Sequence, residues 1–278
     1  MFRQYKPGVI GNEYLFIGTV EKKAWREGLT QPKAITEMFE QMHDFKVTVE
    51  TRGCGFLPDR RPFILYERHI FSRETDSRFD VAHPDISNRS PGGYGAGGAN
   101  QYDRLGRAMA LDRTAALRST SWGIGQVMGF NAGTCGYAEV EDMVAAMCIS
   151  ERNQLLAMAG EIVHSGIDKA LRNHDWTRFA RLYNGPSYEI NSYDTRLAAA
   201  YAKFAAGPLP DFFVRAGQIY LGYLGYHPGT VDGVMGRLSR SALHEFQESH
   251  ELPLTDGINA EVLSKLKETC NSPAFDAL

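Results

Sequence analysis

The chain has 278 residues, 43% of them hydrophobic and 23% charged, with a formal net charge of −3. That length suits one larger and one smaller domain better than a single compact unit, and the composition is that of an ordinary soluble globular protein. The slightly acidic balance argues against nucleic acid as the main partner, because binding phosphates wants a basic face.

Residues 1–30 show little periodicity and read as an N-terminal arm. Its apolar residues are broken by Asn12 and Glu13 and followed by Glu21, Lys22 and Lys23. It therefore lacks the continuous apolar core of a secretory signal, and no stretch of the chain is long and apolar enough to span a bilayer. From Ile35 the spacing becomes helical: Ile35, Met38, Phe39, Met42, Phe45 and Val49 share one face. That helix is expected to end near Glu50, ahead of Gly53, Gly55 and Pro58, although the β-branched Val47-Thr48-Val49 also allows a bend or an early strand.

The apolar run 62–71 (PFILYERHIF) allows either helix or strand. Residues 84–100, with two prolines and the run GGYGAGG, predict a long loop, and long loops often lie beside sites. Helix signals return at about 102–118. The segment 119–131 (STSWGIGQVMGFN) predicts a tight turn entering a short apolar element. One long amphipathic helix follows, with Val140, Met143, Val144, Met147, Leu155 and Ile162 in step, and then shorter helices around Trp176–Tyr183 and Tyr193–Phe204. No strand alternation matches these helical signals, so the fold class is mainly α.

The stretch AAGPLPDF (205–212) reads as a linker, because its prolines cannot continue a helix. Beyond it, helices are expected at about Phe212–Leu224, Ser239–His250 and Asn259–Lys267, with a turn-rich loop between the first two. The expected boundaries are an arm at 1–30, a catalytic domain at 31–206, a linker at 207–211, a small three-helix domain at 212–270 and a tail at 271–278.

Two carboxylates stand out. A proton donor must stay protonated near neutral pH, so it belongs in a partly desolvated pocket. Glu50, at the end of an apolar helix face in VETRGCGF, suits that requirement, but on local grounds alone it reads more readily as an ordinary solvated glutamate at a helix end. Glu67 sits among apolar residues in ILYERHIF, where an unpaired charge is costly. It is either a second catalytic group or a buried ion-pair partner of an arginine. Asp76, Asp80 and Asp85 are weaker candidates in the adjoining loop.

Other chemistries lack their signatures. The four cysteines, Cys54, Cys135, Cys148 and Cys270, contain no C-x-x-C pair; they can pair in disulfides but read better as free, mostly buried thiols of a protein folded in a reducing compartment. His69 and His83 lack zinc-peptidase spacing, Ser121 has no G-x-S-x-G setting, and GGYGAGG lacks the lysine of a phosphate-binding loop. No metal site and no cofactor are expected.

Three ordered segments carry a resemblance. VETRG–GF resembles the Glu-Ser/Thr signature of the lysozyme superfamily. SWGIGQVMGFN (121–131) resembles the Gly-Gln-Met segment lining the glycan cleft of goose-type lysozymes and lytic transglycosylases. FARLYNGPSY (179–188) resembles the Tyr-Asn-Gly-Pro element of the same group. A closer resemblance, over roughly 30–205, is to the phage-type N-acetylmuramidases, through VETRGCGF, ILYERHIFSR, ALRSTSWGIGQVMGFN and FARLYNGPSYEINSYDTRLAAAY.

The resemblance implies a lysozyme-like helical domain with Glu50 as general acid, Glu67 as second catalytic candidate, and Ser121, Gln126, Tyr183 and Asn184 lining the glycan site. Each has a structural alternative: Gln126 as a core-satisfying amide, Tyr183 as a core aromatic, Asn184 as a turn former before Gly185-Pro186. Trp122 is open in the same way, as cleft wall or core.

Residues 212–268, with YLGYLGYHPGTVDGVMG followed by ALHEFQ, resemble the three-helix peptidoglycan-binding domain of wall hydrolases. Tyr226 is a candidate wall contact, whereas Asp232 fits both a tight turn and the wall-binding loop. The family usually has threonine where this chain has Ser239, a mild departure.

The implied activity is hydrolysis of the β-1,4 bond between N-acetylmuramic acid and N-acetylglucosamine. A lytic transglycosylase giving 1,6-anhydro products is a near alternative; an amidase or peptidase, or a wall-binding protein without activity, is more distant. The implied setting is a monomeric phage endolysin, or an effector injected into rival bacteria. An endolysin would accumulate in the host cytoplasm, without a signal peptide or stable membrane association, and meet peptidoglycan at lysis.

Overall fold

A computed structural model describes residues 54–186, 188–206 and 211–271. The expected helix from Ile35 and Glu50 itself lie outside the described residues. The described chain divides into two compact units: 55–57 and 61–198 in one, and 54, 58–60 and 199–271 in the other.

In the first unit the run 62–71 is both strand and helix. Strand β1 (Ile64–Tyr66) turns directly into helix α1 (Arg68–Glu74). The switch residue is Glu67, extended at φ −107° and ψ 96°, whose backbone N–H donates to the Ser119 carbonyl at 2.9 Å. Ile64 and Tyr66 are buried on one side of the junction, Ile70 and Phe71 on the other. The apolar period changes there from every second residue to a helical face, which is why neither period dominated the sequence.

The helix expected at 102–118 is two helices, α2 (Asn100–Leu111) and α3 (Arg113–Arg118). Asp112 breaks the helix in extended conformation, and its carboxylate caps α3 by accepting from Ala115 N–H at 3.0 Å. The segment after α3 is a hairpin: β2 (Thr120–Trp122) pairs antiparallel with β1 and with β3 (Val127–Met128), in the order β1-β2-β3. In register, Ile64 faces Trp122, Leu65 faces Ser121, and Ser121 faces Met128. Trp122 is fully buried and its indole N–H donates to the Leu117 carbonyl at 3.1 Å, so it is core.

The single long helix expected from Val140 is also two, α4 (Val140–Met147) and α5 (Glu151–His164). Its apolar residues stay in step across the break, but Ser150 is extended and its hydroxyl caps α5 through Asn153 N–H at 3.2 Å. Apolar periodicity does not register a break that preserves phase. Then come α6 (Asp168–Arg172), absent from the sequence reading, α7 (Trp176–Asn184) and α8 (Tyr193–Ala206).

Two buried polar residues on α5 tie the unit together. The Glu151 carboxylate accepts from Gly55 N–H at 2.7 Å. The Gln154 amide, fully buried, accepts from Ile124 N–H at 2.8 Å and donates to the carbonyls of Met147 at 3.0 Å and Gly55 at 3.3 Å. Gly55 is glycine for a steric reason: a Cβ there would lie 2.0 Å from the Gln154 oxygen.

The second unit contains α9 (Phe212–Tyr223), α10 (Arg237–Ser249) and α11 (Ala260–Cys270), close to the helices expected. Leu221, Leu243, Phe246 and Leu266 form its fully buried core. The loop before α10 is organised by Gln218. Its side-chain carbonyl accepts from Asp232 N–H at 3.1 Å and Gly233 N–H at 2.9 Å, and its amide donates to the Ser239 hydroxyl at 2.9 Å. Ser239 passes the bond on to the Pro228 carbonyl at 2.8 Å, a role the hydroxyl of threonine would serve equally.

Among the described residues there is no disulfide, and burial pushes the thiols of Cys135, Cys148 and Cys270 up to about 12. No described helix is long and apolar enough to cross a membrane.

Each buried amide gives a prediction. Gln154→Leu keeps the side-chain bulk but orphans one N–H and two carbonyls, and is expected to cost about 3 kcal/mol; the shift in urea midpoint, followed by tryptophan fluorescence, measures it. Gln218→Leu is expected to loosen the loop before α10 by a similar ~3 kcal/mol, read as lost amide protection at Asp232 and Gly233.

Candidate active site

Glu67 occupies the junction between β1 and α1, and its side chain does not cap the helix it precedes. The Glu67 side chain is 15% exposed, and one carboxylate oxygen lies 3.1 Å from His69 Nδ1, one step into α1. Burial pushes the Glu67 carboxyl above the usual carboxylate range; His69, Tyr94 and Arg104 pull in the opposite direction without cancelling that effect. The neighbouring acids behave differently. Asp80 accepts from the hydroxyls of Ser87 at 2.5 Å and Ser72 at 3.0 Å, and Asp85 accepts two bonds from Arg107 at 2.6 and 3.2 Å. Those bonds hold both below the ordinary range, so neither suits proton exchange near neutral pH.

The glycine-rich run 92–98 passes over Glu67. Gly92, Gly93, Gly95 and Gly98 have φ between 66° and 89°, a left-handed backbone that favours glycine. The loop is fixed from α2. The Gln101 amide, almost fully buried, donates to the carbonyls of Tyr94 at 2.8 Å and Ala96 at 2.7 Å and accepts from Tyr66 N–H at 3.2 Å. Arg104 adds bonds to the Tyr94 and Asp85 carbonyls, both at 2.9 Å, and stacks over the Tyr66 ring. The Tyr94 side chain favours the ionised form of the Glu67 carboxyl, and Glu67 in turn raises the Tyr94 hydroxyl above its usual range.

The sheet brings the other candidates toward Glu67. Ser121 faces Leu65, two residues before Glu67, and its hydroxyl donates to the Gln126 side-chain carbonyl at 2.9 Å. Gln126 has φ 50°, and its amide donates to the carbonyls of Gly123 at 2.8 Å and Phe63 at 3.3 Å. Most of its hydrogen-bonding capacity is thus used in closing the β2–β3 turn. Tyr183, on α7, stacks on Phe179 at 5.5 Å and donates its hydroxyl to the Gly125 carbonyl at 3.0 Å. Asn184 is the exposed last residue of α7, and Gly185 ends the helix at φ 82°. Glu67, Ser121, Gln126 and Tyr183 therefore gather around one hairpin, with Asn184 beside them.

Glu50 is five residues upstream of Gly55, whose N–H and carbonyl are both held by α5. Sequence reasoning missed the groups that support the site: Tyr94, Gln101, Arg104, Glu151 and Gln154. The glycine run was the one signal for Tyr94. The rest lie on helix faces, where a polar residue among apolar ones carries no mark of its partner.

In the second unit, Tyr226 packs edge-on against Phe246 at 5.9 Å and shares a 2.6 Å hydrogen bond with Ser249. Asp232 accepts from Val234 N–H at 3.0 Å, within the turn that Gln218 holds. Val234 and Leu238 are exposed beside that turn. Among the described residues no group of three or more His, Cys, Asp or Glu side chains could hold a metal ion.

Comparison with known proteins gives this geometry a family. Residues 46–205, more than half of the chain, match the N-acetylmuramidase family model, and residues 213–266 match the peptidoglycan binding domain model. A solved structure, "Crystal structure of Burkholderia AP3 phage endolysin", is 36% identical, with a TM-score of 0.54, covering 67% of this chain and 69% of that one. No curated protein matches the chain. The mainly helical protein with a small sheet at Glu67 thus belongs to the N-acetylmuramidase family, as a peptidoglycan-cleaving glycosidase with a peptidoglycan-binding domain at its C-terminal end.

Proposed function

We propose that this chain is an endolysin-type muramidase that hydrolyses the β-1,4 bond between N-acetylmuramic acid and N-acetylglucosamine. Glu50 gives its proton to the departing glycosidic oxygen. Glu67 takes a proton from water as that water adds to the anomeric carbon and later releases it to solvent while Glu50 regains one from solvent, so protons balance over one turnover. The observation that carries this reading is the Glu67 carboxyl itself. It is partly buried, raised above its ordinary range and reachable, whereas Asp80 and Asp85 are held ionised by their partners. A base with a pKa drawn toward working pH is the more effective one.

Beside Glu67, Ser121 and Gln126 shape one wall of the glycan site and Tyr183 and Asn184 another. Gln126 acts mainly by holding the turn, with spare acceptor capacity on its side-chain oxygen; the Tyr183 hydroxyl, already donating to Gly125, is left to accept from sugar. The C-terminal domain, from 212 to 270, holds the enzyme on the wall through Tyr226 and the loop around Asp232. The protein acts as a monomer, gathers in the host cytoplasm and meets peptidoglycan at lysis. The described phage endolysin supports that setting, through 36% identity over two thirds of the chain.

Mass spectrometry of digested sacculi in ¹⁸O-water tests the reaction. New reducing ends carrying ¹⁸O are expected. 1,6-Anhydro ends would instead establish a transglycosylase, and free amino groups without new reducing ends an amidase or peptidase. Glu50→Gln is expected to abolish lysis while wall binding persists, and Glu67→Gln to lower kcat by about 10²–10⁴-fold. Full lytic activity in either variant removes that residue from the mechanism.

A further inference from the structure

The cluster around Glu67 contains a pattern that the proposed reaction does not itself require. Three consecutive residues each bury a side-chain polar atom without an aligned hydrogen bond: Glu67 Oε2, Arg68 Nε and His69 Nδ1. Oε2 and Nδ1 are 3.1 Å apart, so His69 needs only a small rotation to donate to the carboxylate. Orphaned buried polar atoms are costly, and three in succession at a helix start are not a device for stability.

The loop above them is placed with unusual care for an irregular segment. The Tyr94 carbonyl accepts from both Gln101 and Arg104, which fixes the backbone that carries the Tyr94 ring. Gln101 also accepts from Tyr66 N–H, immediately before Glu67. One buried amide thus sets the loop and the strand end at a common distance. Gly93 sits against the Arg68 guanidinium, where a Cβ would lie 2.6 Å from its central carbon.

We propose that Tyr94 and His69 are positioning residues for Glu67, aiming its carboxylate at the attacking water and setting the pH range in which it accepts a proton. This rests on the reading of Glu67 as the water-activating group. Tyr94 acts on the carboxylate from the loop side and His69 from α1, at 3.1 Å, each favouring the ionised form. The other charges facing the cluster are Arg68 on α1 and Arg104 on α2, and Arg104 in turn faces Tyr66 and Asp85. Removing either donor leaves burial less opposed, so the Glu67 pKa rises further. A base must be deprotonated to work, so activity on the acid side is what each variant loses.

The test is the pH dependence of kcat/KM for release of reducing ends from purified sacculi, with folding checked by thermal melting. Tyr94→Phe and His69→Ala are each expected to move the acid limb upward by about half a pH unit or more, with far smaller loss on the plateau. His69→Asn, which keeps an N–H near the Nδ1 position but carries no charge, is expected to recover only part of that shift. Unshifted limbs in Tyr94→Phe and His69→Ala, while Glu67→Gln is inactive, would overturn the positioning role and leave the Glu67 assignment intact. A fully active Glu67→Gln overturns both. The two single variants probe the carboxylate from different elements, so a folding defect in one leaves the other decisive.

Discussion

The arrangement of the catalytic unit depends on one buried polar grip. Glu151 and Gln154, one helical turn apart on α5, hold the N–H and carbonyl of Gly55 and the N–H of Ile124. Those bonds connect the backbone at Gly55 to the turn between β2 and β3, and nothing apolar could substitute for them. Van der Waals contact is indifferent to small slides, whereas a buried hydrogen bond is lost when its partners move apart, and its loss is costly. Gly55 and Gly123 are glycines because the Gln154 side chain occupies the space their Cβ atoms would need.

A second grip of the same kind acts across the sheet. Gln101 joins Tyr66 N–H to the glycine loop, while Ser121 and Gln126 close the hairpin opposite. Glu67 lies between, at the step from strand to helix. It is desolvated enough to raise its pKa, yet remains partly open to solvent. The C-terminal domain repeats the tactic with Gln218, whose single amide organises the loop around Asp232. In both units a buried glutamine does what regular secondary structure cannot: it fixes an irregular segment beside the surface where substrate is expected.

Much of this was legible in the sequence, and the misses have a common cause. The helices of the C-terminal domain and those at Trp176 and Tyr193 were found because each is a single uninterrupted apolar stripe. The breaks at Asp112 and Ser150 escaped because both neighbouring helices keep the same phase across the cap. The run at 62–71 stayed open between strand and helix because three strand residues are too short to establish a period, and Tyr66 and Phe71 belong to different elements of one core. For the site, Glu67, Ser121, Gln126 and Tyr183 were legible through resemblance, and the hairpin gathers them. Tyr94, Gln101 and Arg104 were not, since their meaning lies in partners distant in space or hidden within a glycine run.

In the proposed reaction Glu67 activates water directly, in a single displacement. A proton NMR time course of freshly cleaved glycan, recorded before mutarotation sets in, tests this most directly. A single displacement inverts the anomeric centre, so the account predicts the α-anomer of the new reducing end first. Initial appearance of the β-anomer would mean retention through a double displacement or its equivalent, and would contradict the role given to Glu67.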